Sequence, residues 1–195
     1  MTKIKTDHKT FERNLDELVS TVLEARSYFD IWWIFINKKD RTKYGVTQLQ
    51  YKYFFETCSF ALVAAMIVSL YKPFEPRHDT VNIGSILRHG KDLSILDKND
   101  ITILNNLVTI ARPIWGKIAI LRSSIFAHKN LCLSREEIYK IAHVTANEIK
   151  ELTERMLVLL NVILEKGGLK TRSFNPLVTE TTYKLLERFQ RSLTA

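Results

Sequence analysis

An all-α fold is what this sequence predicts, and three observations carry the prediction. Apolar residues recur at spacings of three and four along most of the chain. Only 6 Gly and 4 Pro occur in 195 residues, so loops are few and a turn-rich β architecture is disfavoured. Hydrophobic residues at 46% and charged residues at 26% give the composition of a packed globule, not of a disordered chain. The length suits one hydrophobic core, so a single domain over 1–195 is expected, with a bundle core at about 10–167 and a C-terminal appendage at about 168–195. The arrangement predicted is an antiparallel up-and-down bundle of four to six helices, closed by a short amphipathic C-terminal helix.

The first helix follows from Phe11, Leu15, Leu18, Val22, Ala25, Phe29 and Trp33, which fall on one face from about Thr10 into the Trp32–Ile36 segment. Asn37–Gly45 reads as a polar, basic break, after which Thr47 and Gln50 have capping-box spacing and open a second helix to about Tyr71. Apolar residues cover nearly all faces of that helix, which marks it as central, and Pro73 and Pro76 stop it. Val81, Ile83, Ile86 and Leu87 give the connector one short helix ending near Gly90, where Asp79 makes a turn or caps it. The next bundle helix starts near Asp100, with Leu104, Leu107, Ala111, Ile114, Ile118, Leu121 and Ile125 inward, and Pro113 is expected to kink or divide it. Ser134 and Glu137 form another capping box, opening one long helix with Ile138, Ala142, Ile149, Leu152, Met156, Leu159 and Ile163 in heptad-like register. Gly167 and Gly168 end it, and from about Thr179 the stripe Tyr183, Leu186, Phe189, Leu193 forms the terminal helix.

The net charge of +8 makes phosphate-bearing partners candidates through long-range attraction. Lys38, Lys39, Arg41 and Lys43 concentrate part of it, either as a solvated loop or as a nucleic-acid contact. Cys58 and Cys132 are far apart and outside any paired-cysteine motif, which suggests neither a zinc site nor a disulfide framework and fits a reducing cytoplasm. The polar stretch Met1–Lys9 lacks the apolar core of an export signal. Phe60–Val68 with its flanks falls short of the ~20 residues that span a bilayer, so no membrane insertion is expected.

Chemistry points to Leu121–Asn130, which reads Leu-Arg-Ser-Ser-Ile-Phe-Ala-His-Lys-Asn. At ~100° per residue Arg122 lies about 40° from Ile118, inside the sector of Leu104, Ala111, Trp115 and Ile125. A guanidinium in an apolar seam needs an anionic partner, a hydrated cavity or a subunit interface. On a continuous helix His128 sits roughly 120° from Arg122, too far round for both to reach one small group. Either the helix ends near Ala127 so that His128 turns back, or a two-fold dimer joins the pair from each chain. The bland alternative is an Arg paired with a buried carboxylate and a His favouring the dipole at a helix C-terminus.

Arg122, five intervening residues, then His128 after an apolar residue and Ala, at the end of a bundle helix and before another long helix, resembles the signature of the HEPN superfamily. The order of elements from Phe11 to Leu164, with the connector Arg77–Leu87, is similar to the AbiU-like branch associated with abortive infection. The resemblance implies a metal-independent endoribonuclease acting on RNA as a homodimer, often a toxin or phage-defence effector, possessing an antitoxin protein as a partner in some cases and using no cofactor. It makes Arg122 and His128 catalytic. RNA cleavage without a metal needs a group that moves protons near neutral pH, which suits His128. Arg122 offers a planar fork to a phosphate that gains charge. Ser123, Lys129 and Asn130 are the adjoining candidate substrate contacts, with a solvated surface position the alternative for Lys129. Active members often carry Asn, Asp or His directly after the Arg, where this chain has Ser123, a weaker polar substitute.

Other polar groups read as structural. His143 falls with Asn147, Lys150 and Glu154 on a solvated face, Arg77, His78 and Asp79 form a proline-bounded loop cluster, and Trp32, Trp33 and Phe35 have the spacing of core aromatics. No glycine-rich phosphate loop, paired catalytic carboxylates or nucleophile elbow occurs. The competing readings are a non-catalytic helical module binding nucleotide, RNA or protein through the same groove, which Ser123 favours, and a purely structural dimer.

Overall fold

The computed structural model describes residues 7–77, 79–127 and 134–193. Eight α-helices and no strand occur among the described residues: α1 (His8–Ile36), α2 (Lys38–Gln50), α3 (Lys52–Tyr71), α4 (Ile83–Asp92), α5 (Lys98–Leu121), α6 (Arg135–Ala142), α7 (Ala146–Lys166) and α8 (Leu177–Ser192). The all-α class is the one the sequence predicts. The helix number exceeds the four to six expected because of two departures, a helix where a basic break was expected and a break where the sequence periodicity shows none.

The first is at Asn37. Its extended backbone ends α1, its Nδ2 donates to the Trp33 carbonyl at 2.7 Å, and its Oδ1 accepts the Asp40 amide at 3.0 Å, capping α2. The expected basic break is therefore helix from Lys38 onward, and Thr47 lies buried within α2 instead of capping α3. What holds so polar a helix is remote in sequence: buried Asp40 accepts the Tyr183 hydroxyl at 3.0 Å, while Tyr44 and Leu186 join a satellite core with Phe35 and Phe55. The second break is at His143, which takes a left-handed conformation (φ 45°, ψ 45°) and caps α6. Thr145 and Glu148 then form a new capping box that starts α7, so the single long helix expected after Ser134 is two. The inward residues predicted for it, from Ile138 to Ile163, are all buried on either side of that break.

The main core is shared by α1, α3, α5 and α7, with α1 packed on α3 and α7, and α5 packed on α3 and α7. Leu152, Met156, Leu160 and Ile163 are fully buried there, and truncating such a residue to Ala typically costs ~2–5 kcal/mol. α4, capped by the reciprocal Asn82–Ser85 box and not by Asp79, crosses α1 and α5. α5 runs through Pro113 undivided, although the missing amide leaves the Thr109 carbonyl without its helical donor.

α3 departs from expectation in two ways. It is not covered all round: Phe54, Phe60 and Val68 are exposed while Phe55, Met66, Ile67 and Leu70 are buried. Together with the following 3₁₀ turn, Lys72–Phe74, it is also long and apolar enough to cross a membrane by length and composition.

Candidate functional site

The end of α5 is built by a change of helical type. From Leu121 the chain passes into a π-turn, Arg122–Ala127. Such turns bond each amide to the carbonyl five residues back, and they are frequent at functional sites. Each residue then advances the chain by less than the ~100° of an α-helix, so the 120° separation projected from sequence does not apply beyond Leu121. His128, Lys129 and Asn130 lie outside the described residues, as do His78 and Cys132.

Arg122 is half-buried, and its partner is of a kind absent from the sequence expectations. The guanidinium carbon lies 4.7 Å from the centroid of the Tyr71 ring. Tyr71 is stacked on Trp115, with centroids 5.5 Å apart and planes at 24°, and Trp115 meets Phe74 at 5.9 Å. The Trp115 indole also donates from Nε1 to the Tyr71 carbonyl at 3.1 Å, tying the end of α3 to the middle of α5. Cation–π attraction requires no counter-charge, and among the described residues no carboxylate pairs with Arg122. Sequence spacing contains part of this signal, since Trp115 and Arg122 are seven apart and share a face, but Tyr71 comes from another helix.

Ser123 is exposed, Ser124 is half-buried, and Ile125 turns back against the core. Ile125 also lines a groove of about 580 Å³ with Tyr28, Phe60, Ala64, Val68 and Lys72, so the exposed face of α3 is continuous with the π-turn. On the other side of α5, Lys117 donates to Glu148 at 2.5 Å and to the His143 carbonyl at 3.0 Å, fixing the α6–α7 corner. The Lys117 ammonium, then the Thr145 amide, hold the Glu148 carboxyl below the usual carboxylate range. His143 itself is exposed, in keeping with a solvated role. Among the described residues no group of His, Cys, Asp and Glu side chains is arranged to hold a metal ion.

The other residues singled out in the sequence find their places here. Arg77 binds Asp79 through two donors at 3.0 and 2.7 Å. Phe35 is core, whereas Trp33 is partly exposed and stacked on Phe29. Lys38, Lys39 and Arg41 are exposed on α2, and Lys43 reaches Glu187 of α8 at 3.5 Å.

The sequence model of the HEPN family AbiU2 matches residues 8–183. The chain belongs to that family. The AbiU2 match begins with α1 and ends at Tyr183 in α8, so it takes in the π-turn, the Arg122–Tyr71–Trp115 stack and the Arg122-to-His128 stretch. As an AbiU2 protein it is a HEPN module related to abortive infection. Neither a curated protein nor a solved structure matches it.

Proposed function

We propose that this HEPN module is a metal-independent endoribonuclease that works as a homodimer, serving as a toxin or phage-defence effector under the control of a partner protein. The observation that supports the reading is the placement of Arg122: a half-buried cation, held by an aromatic face at the first residue of a π-turn, leads directly into the stretch ending at His128. In the reaction, His128 takes the proton of a ribose 2′-hydroxyl as that oxygen attacks the adjacent phosphorus. The P–O5′ bond breaks, and the proton is returned to the leaving 5′-oxygen. Arg122 donates to the phosphoryl oxygens, where charge builds up in the transition state. Ser123 and Lys129 are placed in sequence to add contacts to the same strand, and Asn130 follows them.

A homodimer is supported by the exposed apolar face of α3. Phe60 and Val68 flank the groove that Ile125 also lines, so a second copy seated there brings its own π-turn alongside the first. The second reading, a binding module without cleavage, is favoured by the exposed hydroxyl of Ser123 standing where active HEPN proteins often carry Asn, Asp or His.

The deciding experiment is RNA cleavage in EDTA by wild type and by His128→Ala, with RNA affinity measured alongside. Wild type should cut and His128→Ala should lose most cleavage while keeping its affinity, and adding Arg122→Ala should make it scarcely worse. Wild-type activity in His128→Ala overturns the assignment, and binding without cleavage by wild type across diverse RNAs selects the second reading.

A further inference from the structure

A second cavity, of about 270 Å³, lies at the other end of the aromatic stack, where Phe74 forms part of its wall. Its size is near the lower limit of small-molecule sites, enough for a phosphate and its sugar. Three segments converge on it: the connector after α3, the first turns of α4 and one face of α5. On α5, Asn105, Val108 and Arg112 are spaced by three and four and so face it together, and on α4 Gly84 and Arg88 are one turn apart.

The charge of this lining is one-sided. Arg77, Arg88 and Arg112 each come from a different segment, against the single carboxylate of Glu75. Arg77 is engaged by Asp79, whereas Arg88 and Arg112 are exposed and pair with no carboxylate among the described residues. Cations gathered around a low-dielectric wall focus a positive field into the space between them. The capping box of α4 uses the amides of Asn82 and Ser85 but not those of Ile83 and Gly84, which line the same cavity. Phe74 and Val108 supply an apolar floor. A cationic rim over such a floor matches a ligand with a charged phosphate and a less polar body.

We propose that this cavity is a phosphate-binding site for a ribonucleotide, with Arg88 and Arg112 gripping the phosphate oxygens. The phosphate can be that of a free nucleotide or a diester of an RNA strand running past Arg122, and the site stands whether or not the protein cleaves RNA. The test compares wild type with Arg88→Ala/Arg112→Ala and with Arg112→Lys, all confirmed folded by their thermal transitions. Calorimetry with ATP, AMP and inorganic phosphate forms one arm, and anisotropy of a labelled single-stranded RNA against salt forms the other.

Wild type should bind in at least one arm, and the double variant should bind at least tenfold more weakly there, with Arg112→Lys intermediate because it keeps charge but loses the fork. Loss in the nucleotide arm identifies a free-nucleotide site. Loss in the RNA arm alone, with a salt slope shallower by about 1–2, identifies a backbone contact. Failure of wild type to bind in either arm, or equal binding by the double variant, overturns the proposal. Cleavage in EDTA is recorded separately, so a protein that binds at this site and does not cut leaves the inference standing while removing the nuclease reading.

Discussion

Arg122 on α5's end and Tyr71 on α3's end are joined through the face of the tyrosine ring, 4.7 Å from the guanidinium carbon. This relationship seats a half-buried cation that no carboxylate among the described residues neutralises. Such contacts are worth ~0.5–2 kcal/mol, depending on how dry they are. Tyr71→Leu is expected to lower the thermal midpoint modestly and to reduce metal-free RNA cleavage, whereas Tyr71→Phe, which keeps the ring, stays close to wild type. Equal cleavage by Tyr71→Leu and wild type, measured at saturating RNA, would show that the ring does not position Arg122.

The outer face of α3 gives a prediction about assembly. Phe60 and Val68 are 51% and 40% exposed beside the groove that Ile125 also lines, and the proposed dimer would bury them. The variant Phe60→Asp/Val68→Asp should shift light-scattering mass from two chains towards one while leaving helical content intact. A wild type that is monomeric at micromolar concentration would remove the composite-site argument.

Acid should weaken the fold in two steps. Burial, followed by the charge of Arg88, holds His89 below its ordinary value. The unfolded chain therefore takes up that proton first, and stability declines as pH falls from about 6.5. Asp100, beside Lys166 at 2.6 Å, and Glu148, beside Lys117, are both held low by those ammonium groups first. Their stabilisation is complete above the unfolded carboxylate values of about 4 and is lost as pH drops through that range into the lowered folded values. Thermal melts from pH 8 to pH 3 should show both steps, with His89→Gln flattening the upper one and Glu148→Gln the lower.

Gly90 is the glycine the packing cannot spare. A Cβ there would come within 2.7 Å of Leu96 Cδ1 and 2.9 Å of its Cγ, and Leu96 is buried. Overpacking of this kind costs ~1–3 kcal/mol, against a gain of up to ~1 kcal/mol from the better helix former. Gly90→Ala should therefore lower the melting temperature by a few degrees, and a raised midpoint would mean that Leu96 moves aside freely.

How much of this was legible in the sequence follows from where each stabilising contact lies along the chain. α1, α5 and the inward faces of α6 and α7 were visible because their apolar spacing is local and their caps, Ser134–Glu137 among them, are within a few residues. α2 was not, since its helix depends on Asp40 meeting Tyr183, 143 positions away. The break at His143 was obscured because the buried register continues across it, even though Thr145 and Glu148 carry the capping-box spacing. At the site, the oddity of Arg122 was readable, and its resolution was not: Tyr71 and Trp115 are 44 residues apart, and nothing in either segment names the other. The α-helical projection failed for a separate reason, the change to a π-turn at Arg122.

The left-handed corner at His143 also divides the molecule into units of unequal cooperativity. α6 has eight residues, fewer than the ~12–15 an isolated helix needs to be even marginally stable, and it anchors through Ile138 and Ala142 against α5. α7, with 21 residues and a continuous buried stripe, is expected to open only with global unfolding. Amide protons of α6 can therefore exchange with solvent through a local opening that leaves α7 protected. Because α6 is the next described helix after the Arg122–Ala127 π-turn, slowing of that exchange on adding RNA, with the rest of the bundle unchanged, is the expected sign of the proposed RNA binding.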